Sequence, residues 1–358
     1  MNGKSLEQLA VRPPDSVCLL RLSALGDITH MVPVVRTLQA HWPDTRITWI
    51  IGKLEYSMVG DLPGIEFVVF DKGKGWQAYG DLRRALRGRS FDLFLHMQVS
   101  LRASLVSLLV RAPIRLGFDR ERAKDAQWLF TNQHIDARQR QHVLDGFFGF
   151  AEALGIRERV MRWDIPIPEA ARRFAAEQVP TERPVLVISP CSSDRFRNFR
   201  NWPAERYARV VDYAAERYGM QVVLTGGPSE LEREYGEAIC ARARHTPINL
   251  IGATNLKQLL AVLERARVIL SPDSGPAHMG TAVDRPVIGL YATSNTLRTG
   301  PYLSQRWVVD RYPEAIREKF GKELEALPWG IRVRDAETMS RIHVADVIAK
   351  LDAVMAEG

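Results

Sequence analysis

Short apolar runs alternate with stretches of helical spacing along most of this chain. Val17-Cys-Leu-Leu-Arg-Leu22, Ile47-Thr-Trp-Ile-Ile51, Phe67-Val-Val-Phe70, Phe91-Asp-Leu-Phe-Leu95 and Ile114-Arg-Leu-Gly117 read as strands, and the segments 28–41, 76–86 and 101–110 read as helices. A helix over 139–154 closes this half. Trp163-Asp-Ile-Pro-Ile-Pro168 and Pro180-Thr-Glu-Arg-Pro184 interrupt the pattern, because proline fixes φ and removes a backbone donor. The alternation then resumes with Val185-Leu-Val-Ile188, Gln221-Val-Val-Leu-Thr225, Ile248-Asn-Leu-Ile251, Val268-Ile-Leu270 and Val287-Ile-Gly-Leu290. Strands alternating with helices in this way predict parallel sheets with helices on their faces. The interruptions predict one α/β domain over 1–178, a second over 179–335, and a terminal segment, 336–358, whose helix carries Val344, Val347, Ile348, Leu351 and Val354 on one face.

Two strands end in residues suited to ligand binding. After Val268-Ile-Leu270 comes Ser271-Pro-Asp-Ser-Gly-Pro-Ala-His278, in which Asp273 or Ser274 can cap a helix whose first amides Gly275 leaves open. Pro272 and Pro276 fall where helical N–H groups lack partners, so the remaining amides and the helix dipole can meet a phosphate. A plain capped strand-to-helix turn uses the same residues. After Val17–Leu22 comes Ser23-Ala-Leu-Gly-Asp-Ile-Thr-His30, ahead of a helix from about Ile28 to His41. Asp27 thus stands at a strand's carboxyl end, where open α/β sheets bind ligands, although it is also a natural helix cap.

These segments resemble glycosyltransferase family 9, the bacterial lipopolysaccharide heptosyltransferases. Arg21-Leu-Ser-Ala-Leu-Gly-Asp-Ile-Thr-His30 is similar to the family's acceptor-side loop. Ser271–His278 with Asp284-Arg-Pro-Val-Ile-Gly-Leu-Tyr291 is similar to its donor-phosphate loop and next strand. Ser189-Pro-Cys-Ser-Ser193 and Arg200-Asn-Trp-Pro203 are similar to the opening of its second domain, with Arg200 where lysine is common and a long basic insert over 194–200. The resemblance implies two doubly wound Rossmann-like domains facing a cleft, the GT-B arrangement, with the terminal helix returning to the first domain. It implies inverting, metal-independent transfer of heptose from ADP-heptose to the Kdo (3-deoxy-D-manno-octulosonic acid) of lipid A. The variant insert points to the subgroup that adds the first heptose to a phosphorylated Kdo.

The chemistry fits these residues. Inversion needs a base for the acceptor hydroxyl, the role expected of Asp27, and stabilisation of a departing diphosphate. Amides of Ser274 and Gly275, beside Asp273, with the Arg200 charge and the Ser192 and Ser193 hydroxyls, are the expected diphosphate grip, with no cofactor and no metal. Arg195 and Arg197 compete with Arg200, which is otherwise a solvated charge. By resemblance, Glu230 after Thr225-Gly-Gly-Pro meets the adenosine ribose, Thr254 lines the adenine, and His278 supports the donor; Glu230 also suits a helix's first turn. His30 with Asp27 is a weak metal signal lacking further ligands. Arg102 and Arg122 are the expected acceptor contacts, with Arg83, Arg84 and Arg120 as alternatives.

Composition narrows the rest. A chain of 358 residues, 46% hydrophobic, can build two cores. No run approaches about 18 apolar residues and the first fourteen lack a signal-peptide centre, so a cytoplasmic protein is expected, peripheral on the inner face of the inner membrane by resemblance. The net charge of +7 implies anionic partners. No nucleic-acid motif accompanies it, while lipid headgroups and a phosphorylated acceptor fit. Cys18, Cys191 and Cys240 are scattered and read as inert thiols, with Cys191 the one conceivable reactive group. The competing readings are a nucleotide-sugar epimerase of similar shape and a non-catalytic nucleotide-sugar-binding protein. A dehydrogenase is disfavoured because Ser23-Ala-Leu-Gly26 lacks the Gly-x-Gly-x-x-Gly approach to a pyrophosphate.

Overall fold

The computed structural model describes residues 12–179, 182–192 and 198–357, together with Leu6 and Leu9. The chain forms two compact units, Met1–Pro166 and Ile167–Gly358.

The first unit carries β1 (Ser16–Leu20), β2 (Arg46–Gly52), β3 (Ile65–Phe70), β4 (Leu93–His96), β5 (Ile114–Gly117) and β6 (Gln133–His134), hydrogen-bonded in the order β3-β2-β1-β4-β5-β6. All neighbours are parallel; in register, Leu19 of β1 lies opposite Trp49 on one side and Leu95 on the other. The connecting helices are α1 (Leu25–His41), α2 (Lys53–Val59), α3 (Gln77–Ala85), α4 (Leu101–Ser107) and α5 (Val143–Ala153). One face of the sheet buries Cys18, Leu20, Ile50 and Phe94 beneath Leu82 and Val106 of the helices.

The second unit repeats the topology. Its strands β7 (Val185–Ile188), β8 (Gln221–Gly226), β9 (Ile248–Ile251), β10 (Val268–Pro272), β11 (Val287–Tyr291) and β12 (Val309–Asp310) run in the order β12-β11-β10-β7-β8-β9. Its helices are α6 (Glu169–Gln178), α7 (Ala204–Tyr218), α8 (Glu230–Arg242), α9 (Leu256–Glu264), α10 (Gly275–Ala282), α11 (Thr296–Thr299), α12 (Tyr312–Phe320) and α13 (Val344–Ala356). Gly219, at φ +61°, ends α7 in the left-handed conformation that glycine tolerates best. Each sheet therefore reverses its winding once, between β1 and β4 and between β7 and β10, and ligands of such sheets gather at the carboxyl ends beside that reversal.

The boundary lies after Pro166 instead of after 178. Pro33 interrupts α1, and without an N–H it leaves the carbonyl of Thr29 without its helical donor. The indole N–H of Trp163 supplies that bond at 3.0 Å, Val160 N–H donates to Thr37 Oγ1 at 2.9 Å, and Arg36 pairs with Asp164 at 2.7 Å, so this stretch belongs to the first unit. Helix α6 instead belongs to the second: Arg172 pairs with Glu264 at 2.8 Å, and Arg265 donates to Val179 O at 3.0 Å.

Helix α13 does not return to the first domain as expected. It packs on the second unit's core, where Val344, Val347, Leu351 and Val354 are buried with Trp202, Tyr207 and Val211. Asp352 accepts hydrogen bonds from Tyr213 and Tyr218, and Trp202 Nε1 donates to Ile342 O at 3.0 Å. No helix among the described residues is long and apolar enough to cross a membrane.

Candidate active site

In the first unit the reversal point holds Asp27. Helix α1 begins at Leu25, three residues earlier than the sequence pattern suggests, so Asp27 occupies the third helical position. Its Oδ2 accepts from the N–H of Ala24 at 3.3 Å and from Nη2 of Arg21. Arg21 also donates through Nη1 to Met97 O, just past β4, at 2.6 Å, and its guanidinium lies 5.0 Å from the Phe147 ring centroid. Asp27 caps its helix through Oδ2, its side chain is 29% exposed, and no hydrogen bond to its second oxygen, Oδ1, is present among the described residues.

The loop around it is held tightly. Leu22 N–H donates to Gln98 Oε1 at 2.6 Å, and Gly52 N–H donates to Leu22 O at 3.1 Å. A side chain on Gly52 would sit 2.3 Å from that carbonyl, so only glycine lets β2 pass this loop. Beneath it, Gln127 Oε1 accepts from Phe118 N–H, which aims its amide Nε2 at His96 Nδ1, 3.0 Å away. That makes Nδ1 the acceptor and puts the proton of the neutral ring on Nε2, which is buried without a hydrogen-bond partner among the described residues. Burial, with Arg115 and Arg21 adding repulsion, pushes its pKa down to about 3.

In the second unit the grip forms where β7, β10 and β11 end. Ser274 is the N-cap of α10, but its hydroxyl pairs with Ser271 at 2.8 Å and makes no bond to the helix amides, so the start of α10 is not closed by its own cap. Arg200, 16% exposed, donates through Nη1 to Asp273 O at 2.9 Å and approaches Asp273 Oδ2 at 3.3 Å. Arg332 stands in the field of Asp273, Arg200, Arg298 and Arg334; partial desolvation and the repulsion of the other three guanidiniums outweigh the attraction of Asp273 and lower its pKa. Arg298 leans over Gly330, and Val333 N–H donates to Thr293 O at 3.0 Å, which ties this segment to the end of β11. Arg200 on Asp273, and Arg332 in the field of Arg200, Arg298 and Arg334, give this end of the sheet a surplus of positive charge. They are suited to a diphosphate, because guanidinium binds such oxygens in a planar fork.

The segment Arg200-Asn-Trp-Pro203 divides its work. Arg200 reaches Asp273, Asn201 Oδ1 accepts from Ser192 N–H at 2.9 Å, Trp202 is fully buried, and Pro203 caps α7. Ser192 is buried with its hydroxyl donated to Asn198 at 2.7 Å. Ser193, Arg195 and Arg197 lie outside the described residues. Gly275 opens α10 and His278 is buried on its fourth position.

Three expected residues sit differently from the simplest reading. Glu230 is exposed at the start of α8, and the carboxylate that reaches back to the glycine turn is Glu232, accepting from Gly227 N–H. Thr254 is half-buried after β9, with no hydrogen bond among the described residues. Arg122 is spent inside the fold, bonded to Asp119, to Gln141 at 3.0 Å and to Asp136 O at 2.9 Å, whereas Arg102 is exposed on α4 without an ion pair among the described residues. Cys18 and Cys191 are buried thiols whose pKa is pushed far up by desolvation, which leaves neither a nucleophile. Among the described residues no group of three or more His, Cys, Asp or Glu could hold a metal ion.

Arg298, Arg332 and Arg334 escaped the sequence reading because they lie 25 to 61 residues beyond Asp273 and in no glycine turn. The one signal was the density of arginine in Arg332-Val-Arg334 after Pro328-Trp-Gly330.

A model described as Glycosyltransferase family 9 (heptosyltransferase) matches residues 79–338. The lipopolysaccharide core heptosyltransferase OpsX of Haemophilus influenzae is 39% identical over 96% of this chain and 98% of its own length. The lipopolysaccharide heptosyltransferase 3 of Escherichia coli K12 is 24% identical over 93% of this chain and 96% of its own. Among solved structures, a glycosyl transferase family 9 protein from Veillonella parvula superposes with a TM-score of 0.78 at 22% identity, over 96% of this chain and 98% of its own. E. coli heptosyltransferase WaaC with ADP gives 0.71 at 18% identity, over 95% and 99%.

Proposed function

The chain belongs to glycosyltransferase family 9, the heptosyltransferases, and acts in lipopolysaccharide core biosynthesis; from that premise we propose which sugar transfer it performs and how. The reaction is inverting transfer of heptose from ADP-heptose to the Kdo of lipid A at the inner-membrane surface. Arg200, held on Asp273, with Arg332 in the field of Arg200, Arg298 and Arg334, carries the reading, since this cluster supplies the charge a departing ADP needs.

Asp27 Oδ1 takes the proton of the acceptor hydroxyl as its oxygen bonds to the anomeric carbon. The bond from that carbon to the diphosphate breaks, and ADP leaves with the electron pair. Oδ2, held by Arg21 and Ala24, keeps Oδ1 aimed. The amides of Gly275 and its neighbours at the start of α10, with the four guanidiniums, stabilise the leaving diphosphate without a divalent ion. Glu230 or Glu232 and Thr254 serve the adenosine end, His278 supports the grip, and Arg102 meets the anionic acceptor. Identity of 39% to OpsX against 21% to the E. coli K12 lipopolysaccharide heptosyltransferase 1 favours an OpsX-like acceptor, and the basic insert over 194–200 favours one bearing a Kdo phosphate.

The test is to incubate the protein with ADP-, UDP- and GDP-sugars and with Kdo-lipid A, with and without a Kdo phosphate, and to weigh the products. The reading expects one heptose added from ADP-heptose, faster on the phosphorylated acceptor and unchanged by a chelator. No heptosylated product, or activity that disappears with chelator and returns with magnesium, defeats it.

A further inference from the structure

We propose that Gln98 is a positioning residue for the transfer: its side-chain amide stands in for a backbone rung of the first sheet and so sets the loop that holds Asp27. The proposal rests on Asp27 being the base.

Strands β1 and β4 are parallel neighbours with Leu20 opposite His96, and Met97 N–H donates to Leu20 O at 3.1 Å. Bonds along one strand of a parallel pair recur every second residue, so the next rung would run from Leu22 N–H to Met97 O. Side chains take both of its ends. Met97 O accepts from Arg21 Nη1 and Leu22 N–H donates to Gln98 Oε1, each at 2.6 Å. The two strands therefore part at the winding reversal with these polar groups still satisfied.

The amide has one orientation. Leu22 offers an N–H, so Oε1 faces it, and Nε2 turns toward Ser23 Oγ at 3.4 Å and Ser100 Oγ at 3.5 Å. Contacts of that length are weak, which leaves the hold with Oε1. Gln98 is anchored in turn by its backbone: the fully buried Gln127 donates through Nε2 to Gln98 O at 3.2 Å and to His96 O at 2.8 Å.

Leu22 is thus fixed at its N–H by Gln98 and at its carbonyl by Gly52 N–H, 3.1 Å away. Two residues on, Ala24 N–H donates to Asp27 Oδ2 at 3.3 Å. Arg21 reaches the carboxylate directly, whereas Gln98 acts on it through the course of the chain from Leu22 to Ala24.

The test measures kcat and both KM values with ADP-heptose and Kdo-lipid A for the wild type, Gln98→Met, Gln98→Glu, and Asp27→Asn with and without Gln98→Met. Hydrogen exchange at the Ala24 amide is followed in the same proteins without substrate. Gln98→Met keeps the bulk and loses the acceptor; it lowers kcat about tenfold to a hundredfold, the scale of a misplacement of roughly 1 Å. Both KM values and ADP binding stay unchanged, and Ala24 exchange speeds up about tenfold. Gln98→Glu retains an oxygen for Leu22 N–H and recovers most of the loss. In the Asp27→Asn background Gln98→Met costs little more, because the group it positions is already gone. Should Gln98→Met not fold, Gln98→Asn, whose amide falls short of Leu22, shows the same loss of kcat. An intact kcat in Gln98→Met, with or without a raised KM, unchanged Ala24 exchange, or Gln98→Glu as slow as Gln98→Met overturns the proposal, the last by moving the role to Nε2. A wild type that transfers no heptose, or a fully active Asp27→Asn, defeats the proposed reaction instead, and Ala24 exchange then decides whether Gln98 holds the loop.

Discussion

Arg21 and Asp27 form a clasp across the winding reversal of the first sheet: one guanidinium nitrogen bonds the carboxylate and the other the carbonyl of Met97 at 2.6 Å. The clasp joins the loop after β1 to the end of β4, and both protein bonds to the carboxylate fall on Oδ2. Replacing Asp27 by Asn or Ala should lower turnover by about two to four powers of ten, with ADP binding retained. Replacing Arg21 by Met removes a charge-assisted bond worth roughly 1.5 to 3 kcal/mol and should lower turnover about tenfold to a hundredfold, with Arg21→Lys recovering part of it. Initial-rate measurements on the variants check both. Near-normal turnover in Asp27→Asn would remove Asp27 from the reaction.

Arg332 shares its surroundings with three other guanidiniums and one carboxylate, so an incoming diphosphate relieves repulsion there. Arg332→Gln should weaken ADP about tenfold or more by calorimetric titration, the loss of one charge-assisted contact. An unchanged dissociation constant would mean that Arg332 serves only the fold.

His96 gives the stability a defined acid slope. Its pKa is about 3 in the folded chain and near 6.5 when unfolded, so between those values the unfolded chain binds the extra proton. The contribution is complete above the unfolded value and is lost as pH falls from about 6.5 toward 3, at no more than ~1.4 kcal/mol per pH unit. Urea midpoints between neutral and mildly acidic pH should fall less steeply for His96→Asn than for the wild type. Parallel curves would contradict the assignment.

Trp163 repairs the gap that Pro33 opens in α1. Trp163→Phe keeps most of the packing but leaves a buried carbonyl without its donor, and should cost about 1 to 3 kcal/mol of first-unit stability. Denaturant unfolding followed through first-unit amide exchange measures it, and a change below half a kcal/mol would show that the carbonyl finds another donor.

Local pattern alone determined most of the architecture. Apolar runs bounded by glycine and proline located ten of the twelve strands among the described residues, three of them (Ile114–Gly117, Val185–Ile188 and Ile248–Ile251) with the observed bounds, because buried parallel strands need apolar side chains on both faces. The missed strands, Gln133–His134 and Val309–Asp310, are two-residue edge pairings with no such requirement. The turns bearing Asp27 and Ser274-Gly275 were legible for the same reason: strand ends and helix starts impose residue types on adjacent positions. Tertiary structure decided what depends on residues distant in sequence. Arg332 comes into the field of Asp273 and Arg200, Glu232 takes the glycine turn in place of Glu230, Arg122 is consumed by bonds to Asp119, Asp136 and Gln141, and α13 covers the second unit's own core. Side-chain reach and the pairing of buried polar groups are settled by three-dimensional neighbours, and periodicity carries no record of them.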